Sequence, residues 1–435
     1  MGRTILRGRT FGYLRAPESL DDAASHVYRS DGAIVIEDGR IVESCDFSAA
    51  VVLNEDVVID HHPHLILPGF IDAHAHFPQM QVIGSYGAEL LDWLNTYTFP
   101  AELKFADAAH AARIASAFLD EMVRHGTTTA SVYCTVHAQS ADALFAAAEA
   151  RGMAMIAGKV MMDRNAPSGL CDTAEASYHD TKALIGRWHG KGRARYAITP
   201  RFAITSTPAQ LEAAGALAAE FLDCHVQTHL SENHAEIDFT NSLYPGCGDY
   251  AGIYEQYGLT GPKSLFGHCI HLSDREADAL SDSGSVAVFC PTSNLFLGSG
   301  HFDYQRYRRR AKPLRMGIAT DVGGGTNYSM LRTLDEGYKV IAFNGEKLDP
   351  LRAFWQVTLG NAEALSMESE IGALKRGLAA DLVVLDAAAT PAMRLRMETV
   401  STLTEELFLL QTLGDDRAVI ETYVAGTPQK SRLSG

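Results

Sequence analysis

The sequence predicts an α/β protein: a TIM-like (β/α)8 barrel that carries a small β-sandwich domain. Between residues 68 and 365, short apolar stretches alternate with longer amphipathic ones, the pattern of parallel strands connected by helices. The flanking regions contain strand-like runs instead, which predicts a separate β domain. Eight strand-like stretches occur in the alternating region, the number that closes such a barrel: FIDAHAH, TTTASVYC, MAMIAGKV, ARYAITPR, CHVQTHL, SLFGHCIHL, SVAVFCP and MGIATDV.

The small domain is predicted to be composite, because its strands come from both ends of the chain, residues 1–67 and 366–435. In GAIVIEDGRIVESC, two apolar runs flank Asp38 and Gly39, a dipeptide typical of a tight hairpin turn. Near the other end, the stretch GALKRGLAADLVVLD returns to strand character. We therefore expect the terminal segments to meet in one β unit, and residues 68–365 to form the barrel.

The first long amphipathic stretch illustrates how the barrel helices are predicted. From about Asp107 to His125, the apolar residues Ile114, Phe118 and Met122 recur at helical spacing and define one buried face. Gly126 follows directly, and glycine is the residue that most often ends a helix. The pattern predicts one helix between the first and second barrel strands.

Composition restricts the partners of the chain. Its 435 residues carry a formal net charge of -16, which repels phosphate backbones and anionic membranes, so neither a nucleic acid polymer nor a membrane is an expected partner. No apolar run is long enough to span a bilayer, and the N-terminus lacks a signal peptide. The seven cysteines are odd in number and contain no C-x-x-C, which favours reduced thiols in the cytoplasm. A neutral small molecule remains a suitable substrate.

Five side chains are predicted to converge on one rim of the barrel. His74 and His76 lie two apart on the first strand and therefore share a face. His229, His268 and Asp321 each lie at or near the end of a later strand, and the carboxyl ends of barrel strands hold the active site. Three imidazoles and a carboxylate suit Zn²⁺ with a position left for water, so we expect one Zn²⁺ per chain. Imidazole suits iron as well.

Each of these residues has a plainer interpretation when taken alone. An H-x-H pair is more often accidental than metal-binding, a single buried histidine is usually hydrogen-bonded in the core, and Asp321 could belong to a turn. The joint placement at four strand ends favours the metal site. The dense histidine run His61–His64 precedes the barrel and contains a proline, so a solvated loop or strand edge is expected there.

A proton-transfer pair is predicted beside the metal. Glu232 lies three residues after His229, where a carboxylate can take a proton from a water molecule and pass it to a ring nitrogen. Alone, Glu232 would be interpreted as an acid at a helix start. His268 can ligate the metal, but donating a hydrogen bond to a developing tetrahedral centre is the more economical role. Asp321 can both contact the metal and orient the attacking oxygen.

Several segments resemble known proteins. PGFIDAHAHFPQ, THLSE, GHCIHLS and GIATDVGGG together resemble the amidohydrolase superfamily, in order and spacing across the barrel. Other segments are closer to the guanine deaminase family, and the similarity extends from about residue 67 to 386. These more specific segments are Phe77–Glu102, ITPRFAITST, SLYPGCGDY, CPTSNLFLGSG and TDVGGGTNYSML.

The resemblance implies deamination of guanine to xanthine and ammonia by a homodimeric enzyme. It also implies a role for each of nine positions. The zinc ligands would be His74, His76, His229 and Asp321; the catalytic groups would be Glu232, His268 and Asp321; the residues that line the purine pocket would be Gln79, Arg201, Phe202 and His229.

The chemistry of the side chains supports the predicted pocket roles less strongly than the resemblance does. The Gln79 amide both donates and accepts hydrogen bonds, as the edge of a purine does. Arg201 is a forked donor suited to a carbonyl oxygen such as O6 of guanine, and Phe202 can stack on a flat ring. Without the resemblance, a capping amide, a surface ion pair and a core aromatic would be the preferred interpretations.

Three other functions stay open at this point. The chain could act on another heterocycle, such as an oxidised purine, a pterin or a triazine. It could be a two-metal amide hydrolase, with Lys159 as the candidate carboxylated bridging lysine. It could also be a non-catalytic scaffold that has kept the barrel, although such proteins usually lose their ligands.

Overall fold

The computed structural model describes residues 2–86 and 90–433. Its central element is a parallel sheet of nine strands, in which neighbours follow the chain order from the first strand to the last. Eight of these strands form the barrel wall, and the two-residue strand β8 extends β7 and pairs with β9. The strands are β5 (Phe70–His76), β6 (Thr127–Tyr133), β7 (Ala154–Gly158), β8 (Val160–Met161), β9 (Ala194–Pro200), β10 (His225–Leu230), β11 (Ser264–His268), β12 (Val286–Phe289) and β13 (Arg315–Ile318).

The seam between β13 and β5 closes the barrel. At the carboxyl end, the Asp321 amide donates to the His74 carbonyl at 3.0 Å, and the His76 amide donates to the Val322 carbonyl at 2.5 Å. Nearer the amino end, the buried Asn361 side chain bridges the two strands, since it bonds to the backbone of both Ile71 and Ile318. The predicted α/β barrel is therefore confirmed.

Helices connect the barrel strands and cover their outer faces. Helix α3 agrees with the sequence prediction, because the Asp107 side chain caps its first turn and Gly126 follows its end at a φ of +85°. The helices up to the eighth strand are α1 (Leu90–Trp93), α2 (Phe99–Glu102), α3 (Ala108–Arg124), α4 (Ala138–Arg151), α5 (Ala174–Trp188), α6 (Pro208–Glu220), α7 (His234–Leu243), α8 (Tyr250–Gln256), α9 (Asp274–Ser283), α10 (Pro291–Phe296) and α11 (Tyr304–Arg308). Those that follow are α12 (Met330–Phe343), α13 (Pro350–Trp355), α14 (Asn361–Ala364), α15 (Pro391–Met397) and α16 (Leu403–Leu413).

The terminal segments form a second, mixed sheet of seven strands. Strand β4 lies in its middle and pairs with β1 from the N-terminal segment and with β14 from the C-terminal segment. Each terminal segment thus supplies a necessary neighbour of β4. The strands are β1 (Thr4–Tyr13), β2 (His26–Glu37), β3 (Arg40–Asp46), β4 (Val57–Pro68), β14 (Leu382–Leu385), β15 (Val419–Val424) and β16 (Thr427–Pro428).

This seven-stranded sheet curls until its two ends meet. The predicted hairpin turn joins β2 and β3, with Asp38 at a φ of 47° and Gly39 at 76°. The Ala380 amide donates to the Gly39 carbonyl at 2.9 Å, which ties this turn to the segment before β14. Ile41 of β3 and Tyr423 of β15 consequently belong to the same apolar cluster. The separate β unit expected from the sequence is present.

Two helices of the C-terminal segment were not anticipated from the sequence. Helices α15 and α16 lie between β14 and β15, and α16 packs against α12 and α13 of the barrel. The rings of Tyr338 and Phe408 meet edge to face across this contact, with centroids 5.1 Å apart. Arg9 of β1 forms an ion pair with Glu406 of α16 and links the curled sheet to the same helix.

The barrel interior is apolar away from the carboxyl-end rim and polar at that rim. Residues from β5, β7, β11 and β12 fill the apolar part with aliphatic side chains that include Ile71, Ile156, Leu265 and Val288. Such packing leaves the rim as the place for chemistry. Within residues 2–86 and 90–433, no helix combines the length and apolar character needed to cross a lipid bilayer.

Candidate active site

A bulge in β5 directs the first two histidines into the barrel. Its pairing register with β6 shifts between Asp72 and Ala75, so one extra residue is accommodated there. A bulge reverses which face the following side chains occupy. After it, His74 and His76 share the inward face, as their i and i+2 spacing predicts. Their Nε2 atoms lie 3.1 Å apart.

The backbone directly after β9 fixes the orientation of His229. The imidazole Nδ1 donates to the Arg201 carbonyl oxygen at 2.6 Å, a contact that requires the proton on Nδ1. The Nε2 lone pair is therefore free, and it faces His76 Nε2 at 3.3 Å. This tautomer is the one in which Nε2 can bind a cation.

Asp321 follows β13, where the backbone adopts a left-handed conformation. Its φ of 48° is unfavourable for an L-residue, and the hydrogen bond from its own amide to the His74 carbonyl holds it. The preceding residue, Thr320, is held by the buried Asp72 carboxylate through both its amide and its hydroxyl. As a result Asp321 Oδ1 lies 3.3 Å from His74 Nε2 and 3.4 Å from His76 Nε2.

The ligand atoms of His74, His76 and Asp321 lie close enough together to hold a metal ion, and so do those of His74, His229 and His268. Among the four predicted ligands, the separations given above lie between 3.1 and 3.4 Å. Ligand bonds of about 2.0–2.1 Å place neighbouring ligand atoms at roughly such separations. Two Nε2 atoms this close cannot both carry protons that point at each other, whereas a cation between them satisfies both.

The electrostatics of the cluster favour a neutral imidazole at His76 and at His229 and an ionised carboxylate at Asp321. Burial lowers the pKa of His76 to about 3, although hydrogen bonding to Asp321 opposes this effect. Burial, reinforced by the neighbouring His74 and His76, also lowers the pKa of His229 well below its usual range. Burial alone would raise the pKa of Asp321, but hydrogen bonds from His74 and His76 hold it well below the usual value. Neutral imidazole and ionised carboxylate are the forms that bind metals.

Glu232 and His268 face each other beside this donor set. Glu232 Oε2 lies 3.3 Å from His268 Nε2, and the same Nε2 lies 3.7 Å from Asp321 Oδ2. Burial, followed by the charge of Asp321, raises the pKa of Glu232 to about 8. A carboxyl group with a pKa near physiological pH can both accept and release a proton.

Two side chains from the segment after β12 orient this pair. The Ser299 hydroxyl donates to Glu232 Oε1 at 2.9 Å, and Asn294 Oδ1 contacts His268 Nδ1 at 2.9 Å. The Asn294 oxygen can only accept, so His268 carries its proton on Nδ1 when neutral. Both orienting residues belong to the CPTSNLFLGSG segment.

A small pocket opens onto the cluster at the carboxyl-end rim of the barrel. Residues 87–89, within the Phe77–Glu102 segment, are outside the described part of the chain. The apolar part of the pocket wall consists of Leu90, Trp93, Leu94, Phe202 and Leu297; the polar part consists of His76, Gln79, Arg201, His229, Glu232, His268 and Asp321.

The structure therefore gathers every site residue singled out in the sequence around one pocket, with His74 just behind the pocket wall. Trp93 also lies in the pocket wall. The run His61–His64 lies in β4 of the curled sheet, away from the pocket, where His61 contacts the Tyr423 hydroxyl at 2.8 Å.

Comparison with known proteins agrees with this geometry. The model of the family described as Amidohydrolase family matches residues 65–428. The chain belongs to the amidohydrolase family. Metal-dependent chemistry is general in this family.

Individual relatives of this amidohydrolase are similar over nearly their whole length. Guanine deaminase of Escherichia coli is 45% identical over 97% of this chain and 96% of its own. The solved structure of the E. coli enzyme superposes with a TM-score of 0.95 at 44% identity, covering 98% of this chain and 99% of that one. The guanine deaminase structure from C. acetobutylicum with bound guanine in the active site has a TM-score of 0.87 at 28% identity, with coverages of 98% and 99%.

In this amidohydrolase, Lys159 is engaged away from the histidine cluster. Its ammonium group forms a buried ion pair with Asp172, whose carboxylate also accepts from Ser177 and Gln210. Carboxylation of Lys159 would remove the positive charge that this carboxylate needs. The two-metal interpretation therefore receives no support from Lys159.

Sequence reasoning missed several residues that shape the site. Cys290 Sγ lies close to the ligand atoms of His268 and Asp321, but burial raises the pKa of this thiol well above its usual value. Glu102 forms a buried ion pair with Arg201. A charged residue that ends an otherwise apolar segment was the available signal for Glu102, whereas Ser299 and Asn294 lie in a loop whose course depends on the whole barrel.

Proposed function

We propose that this amidohydrolase is a guanine deaminase, which converts guanine and water to xanthine and ammonia. One observation carries the proposal: the donor groups of Arg201 and the amide of Gln79 line the same small pocket as the proton-transfer pair Glu232 and His268. Similarity to enzymes named guanine deaminase, at 45% identity for the E. coli relative, supports the same substrate.

The proposed cofactor is one Zn²⁺ per chain, held by His74, His76, His229 and Asp321. Nitrogen ligands with one carboxylate suit zinc, and the donor set leaves room for water. When bound, such a cation acts as a Lewis acid and brings the pKa of a coordinated water to about 7. The ring of Tyr133 packs against three of the histidines, with centroids 4.5–4.8 Å away, and keeps bulk water from that side.

The pocket residues orient a purine with its C2 atom toward the cluster. In this arrangement Arg201 donates to the O6 carbonyl oxygen, Gln79 pairs with a polar edge of the ring, and Phe202 packs against its face. The Phe202 ring lies 6.2 Å from the His229 ring, so an aromatic surface continues from the pocket wall to the cluster. Holding the ring in one orientation lowers the entropic cost of the reaction.

The proton transfers follow from the positions of Glu232, His268 and Asp321. Glu232 takes the first proton of the attacking water and delivers it to N3 while the oxygen bonds to C2. When His268 is protonated on Nε2 as well as on Nδ1, it donates a hydrogen bond from Nε2 to the tetrahedral centre, and Asp321 orients the attacking oxygen. The second proton of the water passes to the amino group, which leaves as ammonia while C2 becomes a carbonyl carbon.

The decisive experiment is incubation of the purified enzyme with guanine, followed by measurement of xanthine and ammonia in equal amounts. A parallel panel contains an oxidised purine, a pterin and a triazine, each with an exocyclic amino group. We expect guanine to have the highest kcat/KM and metal analysis to give close to one zinc per chain. Turnover of another heterocycle without turnover of guanine would refute the proposal.

Cytoplasmic location and the homodimeric state stay predictions. All seven cysteines are free thiols, which supports a reducing compartment. The homodimer follows from the family resemblance alone, and sedimentation velocity would test it.

A further inference from the structure

The least expected feature of the pocket is a buried carboxylate behind its two polar substrate-facing residues. Glu102 is the last residue of α2 and is completely inaccessible to solvent. Both of its carboxylate oxygens accept from Arg201 Nη1 at 2.8 Å, and Oε1 also accepts from Gln79 Nε2 at 3.2 Å. One carboxylate thus contacts both residues that are proposed to bind the purine edge.

The ion pair fixes which donors of Arg201 remain available. Nη1 is occupied by Glu102, while Nε and Nη2 donate to no residue within 2–86 and 90–433. The guanidinium carbon also lies over the Phe99 ring, 5.6 Å from its centroid, so the plane is held from a second side. A planar guanidinium held at one nitrogen and one face presents its remaining N–H groups in a fixed direction.

The same carboxylate fixes the orientation of the Gln79 amide. A carboxylate only accepts, so Gln79 must turn its NH2 group toward Glu102. On the other side, the Gly323 amide faces Gln79 Oε1 at 3.4 Å, and an amide N–H only donates. An amide that could otherwise present either end to a ligand is therefore restricted to one orientation.

We propose that Glu102 is a specificity-determining positioning residue: it holds Arg201 and Gln79 so that the pocket selects a ring that carries a carbonyl oxygen at the position of guanine O6. Glu102 reaches the substrate only through these two residues. This inference rests on the proposed function, because the carbonyl oxygen in question is that of guanine. Its physical basis is the cost of a buried donor that has no acceptor. A ligand without the carbonyl oxygen leaves the donor in that state and therefore binds less tightly.

The test compares guanine with 2-aminopurine, which lacks the O6 atom, in Glu102→Gln. The variant keeps the size of the side chain but removes the charge that holds Arg201. We expect the KM for guanine to rise ~10-fold or more, with a smaller change in kcat. The inhibition constant of 2-aminopurine against guanine should change by less than about threefold, because this ligand has no oxygen for Arg201 to bind.

A matched control is Glu406→Gln. Glu406 is also buried, and its carboxylate pairs with Arg9 through two hydrogen bonds of 2.8 and 2.5 Å, but neither residue lines the pocket. The control should lower the melting temperature without changing the ratio of the two ligand constants. Equal weakening of guanine and 2-aminopurine by Glu102→Gln, or unchanged guanine kinetics, would overturn the inference.

A second series of variants tests the same inference if Glu102→Gln does not fold. Arg201→Met removes the partner charge, and the double variant with Glu102→Gln contains no unpaired buried charge. Because Glu102 acts through Arg201 as well as Gln79, adding Glu102→Gln to Arg201→Met should raise the guanine KM by clearly less than the ~10-fold expected in the wild-type background. Additive effects would overturn the inference. A wild-type enzyme that does not deaminate guanine would instead refute the proposed function.

Discussion

His225 and His229 lie four residues apart on the same strand and the same face, yet they have different surroundings. His225 begins β10 at the amino end of the barrel, where its Nε2 contacts the Leu365 carbonyl at 2.9 Å. His229 near the other end binds a carbonyl through Nδ1 and presents Nε2 to the cluster. Gln227 between them bonds across the barrel to Ser131 and Thr199.

His225 and His229 show that burial of an imidazole does not by itself indicate a functional role. Burial lowers the pKa of both imidazoles, to about 4 for His225 and well below the usual value for His229. Both rings are therefore neutral at physiological pH. What distinguishes them is the group facing the second nitrogen: His229 faces other candidate ligands, whereas His225 Nδ1 has no hydrogen-bond partner among the described residues. A perturbed pKa alone would not have identified the active site.

Replacing each histidine in turn should have very different effects on metal binding and turnover. His229→Gln removes a proposed metal ligand, so we expect bound metal to fall and turnover to drop below detection. His225→Gln should retain metal and turnover, because the hydrogen bond of its ring goes to a backbone carbonyl at the end of the barrel opposite the cluster. Metal analysis and steady-state kinetics on both variants test this. Loss of metal from the His225 variant, or full activity of the His229 variant, would contradict it.

The same contrast extends to carboxylates at the two ends of the barrel. Glu232→Gln removes the proposed proton carrier, so kcat should fall by ~10²–10⁴ while the metal content stays unchanged. Glu370 near the amino end pairs with Arg195 at 2.6 Å. Glu370→Gln should therefore leave kcat within about twofold of wild type, since exposed ion pairs have small effects. Near-normal turnover in Glu232→Gln would exclude the assigned role.

Alanine substitutions at two strand glycines should have smaller effects, one mainly on kcat/KM and the other mainly on stability. A Cβ atom on Gly267 would lie 2.6 Å from the His74 ring, whereas one on Gly317 would lie 3.0 Å from the Ala73 side chain. Gly267→Ala should displace the imidazole and lower kcat/KM by roughly 10–100-fold. Gly317→Ala should mainly cost about 1–3 kcal/mol of stability. Denaturant unfolding and kinetics on both variants distinguish the outcomes; a fully active Gly267→Ala would contradict the geometry.

His225 should also make a modest contribution to the pH dependence of stability. Its pKa is about 4 in the folded protein and 6.5 when unfolded, so the unfolded chain binds more protons between these values. Stability from this residue is present above pH 6.5 and is lost as the pH falls toward 4, by up to about 1.4 kcal/mol per pH unit. Urea unfolding at pH 7 and pH 5 should show a shallower loss in His225→Gln than in wild type. Equal losses would contradict the prediction.

Local periodicity made the barrel predictable. Helix α3 was located to within one residue at each end, because its apolar stripe, its Asp107 cap and Gly126 are all local features. The meeting of His74, His76, His229 and Asp321 was predictable for another reason: a barrel brings the carboxyl ends of all its strands to one rim. No knowledge of side-chain packing was needed for either.

Features that depend on distant partners were not predictable. The β5 bulge is a property of its pairing with β6, and no residue type in FIDAHAH indicates it. Glu102 and Arg201 lie 99 residues apart and meet only after the barrel forms. Helices α15 and α16 lie in a segment interpreted as β; the apolar face of α16 becomes buried only against α12 and α13, which are distant in sequence.

The central position of β4 affects how the protein is made. Its partner β14 emerges from the ribosome only after the entire barrel, some 300 residues later, which corresponds to roughly 15–60 s at common translation rates. During that interval one edge of β4 is an open template for other strands. We therefore expect nascent chains to require protection by a chaperone until Leu382–Leu385 arrives, and C-terminal truncations to aggregate even though every active-site side chain is present.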